Sequence, residues 1–176
     1  MKKVVLIVLP ILLLGTVMLA MLNQWHSRKN RQIDEAAVRA HYQETWDLQK
    51  RFDAVGLCAQ LAEDFEGTDD RYIGHEHVAL TLNKSTACAA LTELMAEWKR
   101  IDDDADAGLP PPTVEFEIRD ITISSSGSVA TVEHISTLKR GDTALSWTQG
   151  TEQLAQQEDG IRSVRAKTMT VLRTVE

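Results

Sequence analysis

Residues 114–171 read VEFEIRDITISSSGSVATVEHISTLKRGDTALSWTQGTEQLAQQEDGIRSVRAKTMTV, and the punctuation of this stretch decides the fold. Val114, Phe116 and Ile118 alternate with charged residues, the period of a half-buried strand, until Ser124-Ser125-Ser126-Gly127 ends the run. Ser128 to Lys139 alternates again and stops at Arg140-Gly141-Asp142, a tight hairpin signal. Thr143 to Gln156 forms a third strand closed by Glu158-Asp159-Gly160, and Ile161 to Val175 a fourth, rich in Val and Thr. Strands joined by such short turns predict an antiparallel meander. With Gly141 and Asp142 central in their turn, Leu138 would face Leu145 and Ser136 would face Trp147. His134 would then share a face with Leu138 and Trp147.

Upstream the period changes. From about Ser85 to Ile101, Cys88, Leu91, Met95 and Trp98 recur at three and four, flanked by Ala87, Leu94 and Ile101, which predicts an amphipathic helix capped by Ser85 or Asn83. The prolines Pro110 to Pro112 forbid its continuation. Thr68 to Leu82 reads as loop with a short strand. Asp53 is a plausible N-cap for a short helix whose apolar side is Val55, Leu57, Cys58 and Leu61. Ile33 to about Arg51 predicts a longer helix, with Val38, Tyr42 and Trp46 on one stripe. The fold class is therefore α+β, and Trp46, Leu61, Leu91, Met95, Trp98 and Phe116 are expected in the core.

Val4 to Leu22 is a 19-residue run without charge, close to the length that spans ~30 Å of hydrocarbon at ~1.5 Å per residue. Trp25 and His26 suit an interfacial belt, with Arg28, Lys29 and Arg31 beyond it. The division expected is a transmembrane anchor over 1–24, a juxtamembrane linker over 25–32 and a folded domain over 33–176. A cleaved signal peptide is the other reading, opposed by the length of the run and the poor cleavage site at Met18-Leu19-Ala20. Lys2 and Lys3 balance Arg28, Lys29 and Arg31, so flanking charge leaves the orientation open. The three-residue head before the span favours a single-pass protein with an extracytoplasmic domain, periplasmic or on the outer face.

The formal charge is −7, yet residues 1–30 hold four of the 19 basic residues and none of the 26 acidic ones. A domain so acidic repels phosphate backbones and excludes nucleic acid as a partner. There are two cysteines, Cys58 and Cys88. Reduced core residues and a disulfide in an oxidising compartment both fit them.

Helix, short helix, small strand, helix and four long strands, in that order, resembles the NTF2-like superfamily (cystatin-like cone, SnoaL/ketosteroid isomerase-like) over about residues 33–173. The local patterns that carry the likeness are Tyr42 and Trp46 on the first helix, Asp53-Ala54-Val55-Gly56-Leu57 leading to Leu61, Asp64 and Phe65, and a hairpin with Ile121, Gly127 and Ala130-Thr131-Val132. The resemblance implies three helices packed on a curved antiparallel sheet of four strands plus one short strand, enclosing an apolar pocket. Members include ketosteroid isomerase-like and polyketide cyclase-like enzymes, transport factors, and anchored periplasmic assembly subunits, so fold does not settle function.

An enzyme in such a pocket needs a base and a donor for an enolate, and Tyr42, Asp64 and His134 are the candidates. Tyr42, Trp46, His134 and Trp147 are the pocket wall the resemblance implies, and the face that His134 shares with Trp147 fits a packed core as well. Asp64 lies in the acidic run Glu63-Asp64-Phe65-Glu66, which is unlike a buried base. His75-Glu76-His77 would suit zinc only with a further ligand, and Asp102, Asp104 and Asp106 fail as a calcium loop because Ala107 stands where Gly is needed. Arg140-Gly141-Asp142 reads as a turn and Asn83-Lys84-Ser85 as a helix cap. No metal and no cofactor are expected. The leading reading is a membrane-anchored, non-enzymatic domain at the cell envelope that binds a partner protein, a second copy of itself or a small apolar ligand. The alternative is an isomerase, cyclase or dehydratase acting on an apolar carbonyl substrate.

Overall fold

Asp34 starts the first helix by accepting a hydrogen bond from the Ala37 amide at 2.7 Å, the role an N-cap carboxylate fills. In the computed structural model, which describes residues 32–103, 110 and 112–173, this helix is α1 (Glu35–Lys50). It buries Val38, His41 and Leu48. Phe52, at φ +55°, turns the chain, and Asp53 caps the six-residue α2 (Ala54–Ala59) by accepting from the Gly56 amide at 2.8 Å. The chain divides between Gln32 and Ile33, and everything described here belongs to the unit that begins at Ile33, apart from Gln32 itself. The transmembrane span read over Val4–Leu22 and its linker up to residue 31 lie outside the described residues. Among the described residues no helix is long and apolar enough to cross a membrane.

The sheet corrects the expected architecture. It has six long strands rather than four plus a short one: β1 (Leu61–Ile73), β2 (Glu76–Asn83), β3 (Pro112–Ile123), β4 (Val129–Arg140), β5 (Thr143–Gln157) and β6 (Gly160–Leu172). Their order is β2-β1-β6-β5-β4-β3, and the β1–β6 pairing is parallel, so the sheet is not wholly antiparallel. The segment expected to be loop is the β1–β2 hairpin. Its alternation is masked because the buried positions of β1 include Gly67 and Asp69, while most of edge strand β2 is exposed. The long helix α3 (Lys84–Asp103) connects this hairpin to the meander. Asn83 and Thr86 cap it reciprocally, each side-chain oxygen accepting from the other's amide, at 3.0 and 2.9 Å.

One bulge changes what the sheet presents. Arg140 pairs with Thr143 and Lys139 with Ala144, but Leu138 pairs with Ser146, so Leu145 is an extra residue in β5. The shift reverses every side chain that follows it relative to the simple register. Trp147 therefore stands opposite Thr137 and Val171, on the other face from His134 and Leu138.

Two apolar clusters hold the layers together. Ile33, Val38, Ala130, Val132 and Leu154 seal α1 against the sheet, and Leu48, Leu57 and Met95 join the three helices. Of the six residues expected in the core, Met95 is 2 % exposed, whereas Phe116 is 39 % exposed. Trp46, Leu61, Leu91 and Trp98 are half-buried. Trp46, Trp98 and Phe116 keep this exposure because they face an open cavity rather than packed neighbours.

Candidate functional site: the cone cavity

The bulge-corrected register stacks the inner face of the sheet in cross-strand rows. One row runs Ile118, His134, Gly150, Thr168 and Asp69, and the next runs Phe116, Ser136, Thr148, Thr170 and Arg71. Together with α1 and α3, these strands line an open cavity of about 840 Å³. Trp46 on α1, Leu94 and Trp98 on α3, and Phe116, Leu138 and Leu172 on the sheet supply its apolar wall. A volume of this order suits a small organic ligand.

On the wall nearest α1, the Tyr42 hydroxyl donates a hydrogen bond to the Glu152 carboxylate. The Tyr42 and Phe116 rings stack with centroids 5.0 Å apart, and Phe116 and His134 stack at 5.2 Å. Burial, reinforced by the negative charge of Glu152, pushes the Tyr42 phenol well above its ordinary value, so it remains a donor. Burial also holds His134 below the ordinary histidine value, against the opposing pull of Glu152. The His134 imidazole is thus neutral at pH 7, and its buried Nδ1 has no partner among the described residues. It lies over Gly150, where an added Cβ would come within 2.9 Å of His134 Cε1. A glycine is what permits this close approach.

The polar end of the cavity is built around Asp69, which is 6 % exposed. Thr168 and Thr170 donate their hydroxyls to its Oδ1 at 2.8 and 3.0 Å, and Arg71 donates Nε to its Oδ2 at 2.5 Å. Each carboxylate oxygen is therefore satisfied, which is what burying a charge requires.

Tyr42, Trp46 and His134 line the cavity. Trp147 is on the opposite face of the sheet. Asp64 is exposed on β1 and does not border the cavity, which removes it as a base. Glu152 and Arg71 were not singled out by sequence reasoning. Glu152 sits in the polar run Gly150-Thr151-Glu152-Gln153, and only a β5 register that includes the bulge could have turned it inward. Cys58 and Cys88 are bonded, with Cα atoms 5.2 Å apart, and tie α2 to α3. His75 and Glu76 are exposed at the β1–β2 turn, and His77 pairs with Asp70 at 3.1 Å and stacks on Tyr72. Among the described residues no group of three or more His, Cys, Asp or Glu side chains could hold a metal.

No family model matches the sequence, and no curated protein matches it. Solved structures do. A domain of unknown function with a cystatin-like fold from Nostoc punctiforme superposes with a TM-score of 0.52 at 14 % identity, over 81 % of this chain and 78 % of that one. An NTF2-like protein of unknown function from Pseudomonas putida gives 0.52 at 16 %, over 77 % and 84 %. A candidate dehydratase from the NTF2-like family of Streptomyces avermitilis gives 0.51 at 14 %, over 78 % and 95 %. At such identities the likeness establishes architecture alone, and the architecture is the NTF2-like, cystatin-like fold.

Proposed function

We propose that this domain binds a small, largely apolar molecule in its cone cavity, without transforming it, at the cell envelope. The cavity walled by Trp46, Trp98, Leu94 and Phe116 carries this reading. Large aromatic and aliphatic surfaces left half-buried gain stability when a ligand covers them, at roughly 25 cal/mol per Å² of apolar area. A concave wall favours a small molecule over a protein partner. The Cys58–Cys88 bridge supports an oxidising compartment, and the apolar run Val4–Leu22 supports the envelope. Native mass spectrometry of the full chain tests the idea. A co-purified small molecule released by Trp98→Ala is the expected result. A chain that carries nothing and takes up no member of a panel of apolar compounds would sink it.

The Tyr42–Glu152 pair beside neutral His134 favours a second reading, an isomerase, cyclase or dehydratase acting on an apolar carbonyl compound. Glu152 replaces Asp64 as its base, taking a proton from the carbon beside the carbonyl, while His134 is the nearby donor. Solvent deuterium entering the α-carbon of a cyclic ketone, abolished by Glu152→Gln, would support it. No exchange above the buffer rate would leave the binding reading alone.

A further inference from the structure

We propose that the ligand of this cavity carries a carboxylate and that Arg71 receives it, an inference that rests on the cavity being a ligand site. Arg71 borders the cavity with 42 % of its side chain exposed, whereas the Asp69 side chain that holds it is 8 % exposed. The guanidinium is fixed through Nε alone. Among the described residues nothing else bonds its terminal amino groups, which form the planar fork that matches a carboxylate bidentately. Asp69 itself cannot swing away, because the Thr168 and Thr170 hydroxyls hold its other oxygen. Arg71 is therefore an oriented donor rather than a loose surface cation.

Its hydroxyl neighbours are committed to one another and to Asp69, which leaves Arg71 as the donor of this end. Thr170 spends its proton on Asp69, so in the 3.1 Å Thr148–Thr170 contact the donor is Thr148. Ser136 is in the same cross-strand row but on β4, three strands and roughly 14 Å from Arg71 at ~4.8 Å between strands, so it borders the cavity outside this subsite. Arg39 also borders the cavity, but Glu35 engages both its Nε and Nη2. The carboxylate of Glu152 lies roughly 15 Å from Arg71 across the sheet, at ~3.3 Å per residue along a strand and ~4.8 Å between strands. An anionic head is repelled at that end and received at the Arg71 end, with Phe116 and Trp98 flanking an apolar body. The ligand class is an aromatic or aliphatic monocarboxylate.

The test compares 2-naphthoate with its neutral isostere 2-naphthamide by equilibrium dialysis against the full chain at pH 7.5. The acid should bind at least tenfold tighter. Arg71→Gln should erase that preference while leaving the amide's affinity within about twofold. Arg71→Lys, which keeps the charge and loses the fork, should cut the preference severalfold, and it decides the matter if Arg71→Gln fails to fold. Equal binding of acid and amide to the wild type, or a preference that survives both substitutions, overturns the proposal and leaves the cavity reading standing. Binding of neither compound overturns both.

Discussion

Gly150→Ala tests the register of the sheet at the point where the cavity wall depends on it. An alanine Cβ there would lie 2.9 Å from His134 Cε1 on one side and 2.9 Å from Thr168 Cγ2 on the other. Comfortable carbon contacts begin at about 3.5 Å, so roughly 0.6 Å must be relieved in both directions. The methyl cannot lean from one strand without pressing on the other. His134 cannot simply retreat either, since Phe116 stacks on it at 5.2 Å. Overpacking of this kind costs about 1–3 kcal/mol, and removing a glycine from the unfolded chain returns about 0.4–1 kcal/mol. The expected net loss is about 1–2 kcal/mol, or roughly 3–6 °C in Tm for a domain of this size. Urea unfolding of the wild type, Gly150→Ala, His134→Ala and the double variant measures it. The Gly150→Ala penalty should fall by about half when His134 is already Ala, leaving only the Thr168 contact. An alanine variant as stable as wild type, or a penalty indifferent to His134, would refute the close approach.

Tyr42→Phe removes the hydroxyl that the Glu152 carboxylate accepts from, and should destabilise by about 1–2 kcal/mol. Combined with Glu152→Gln, the loss measured by urea unfolding should be smaller than the sum of the two. Replacing Cys58 and Cys88 by Ala opens a loop with a sequence separation of 30 and should cost about 3–4 kcal/mol by loop-closure entropy, read from the shift in urea midpoint. Stability should also depend on pH through His41 and His134, both held below the ordinary histidine value of 6.5 by burial. The unfolded chain takes up those protons first, so their contribution is complete above about pH 6.5 and is lost as the pH falls through that value. Urea midpoints at pH 7.5, 6.5 and 5.5 should decline, and the decline should flatten in the His41→Gln, His134→Gln double variant. A profile unaffected by the substitutions would contradict the burial of these rings.

What the sequence discloses follows the strength of its periodicities. Helix α3 is legible because Cys88, Leu91, Met95 and Trp98 repeat at helical spacing, and β3 to β6 because turn residues bracket them. The β1–β2 hairpin escapes because its pairing is with other strands rather than with an apolar layer. Asp69 is buried for its hydrogen bonds, Gly67 has no side chain to signal burial, and β2 is an exposed edge. Helix spacing puts Tyr42 and Trp46 on one stripe and strand parity gives His134 a face of the sheet, but that the face lines a cavity is implied by the family resemblance alone. Trp147 and Glu152 could not be placed by parity, because the extra residue at Leu145 reverses the parity of all that follows in β5. Arg71 was hidden with the hairpin that carries it. Phe116 was expected in the core because an aromatic residue in an alternating strand reads the same whether it meets packed neighbours or a cavity.

The parallel pairing of β1 with β6 has a consequence for the order of events as the chain folds. Asp69 on β1 meets Thr168 on β6 at a sequence separation of 99, and the Ser163 amide bonds back to the Gln60 carbonyl. Strands β3, β4 and β5 can zip as local hairpins, but β1 and β2 can join them only through β6. Loop-closure entropy makes such a contact slow to form, so the joining of the two halves is the expected rate-limiting step. A nascent chain released before β6 would present an unpaired edge of β1, with Asp69 deprived of both threonines, and would be exposed to proteolysis and strand-mediated aggregation.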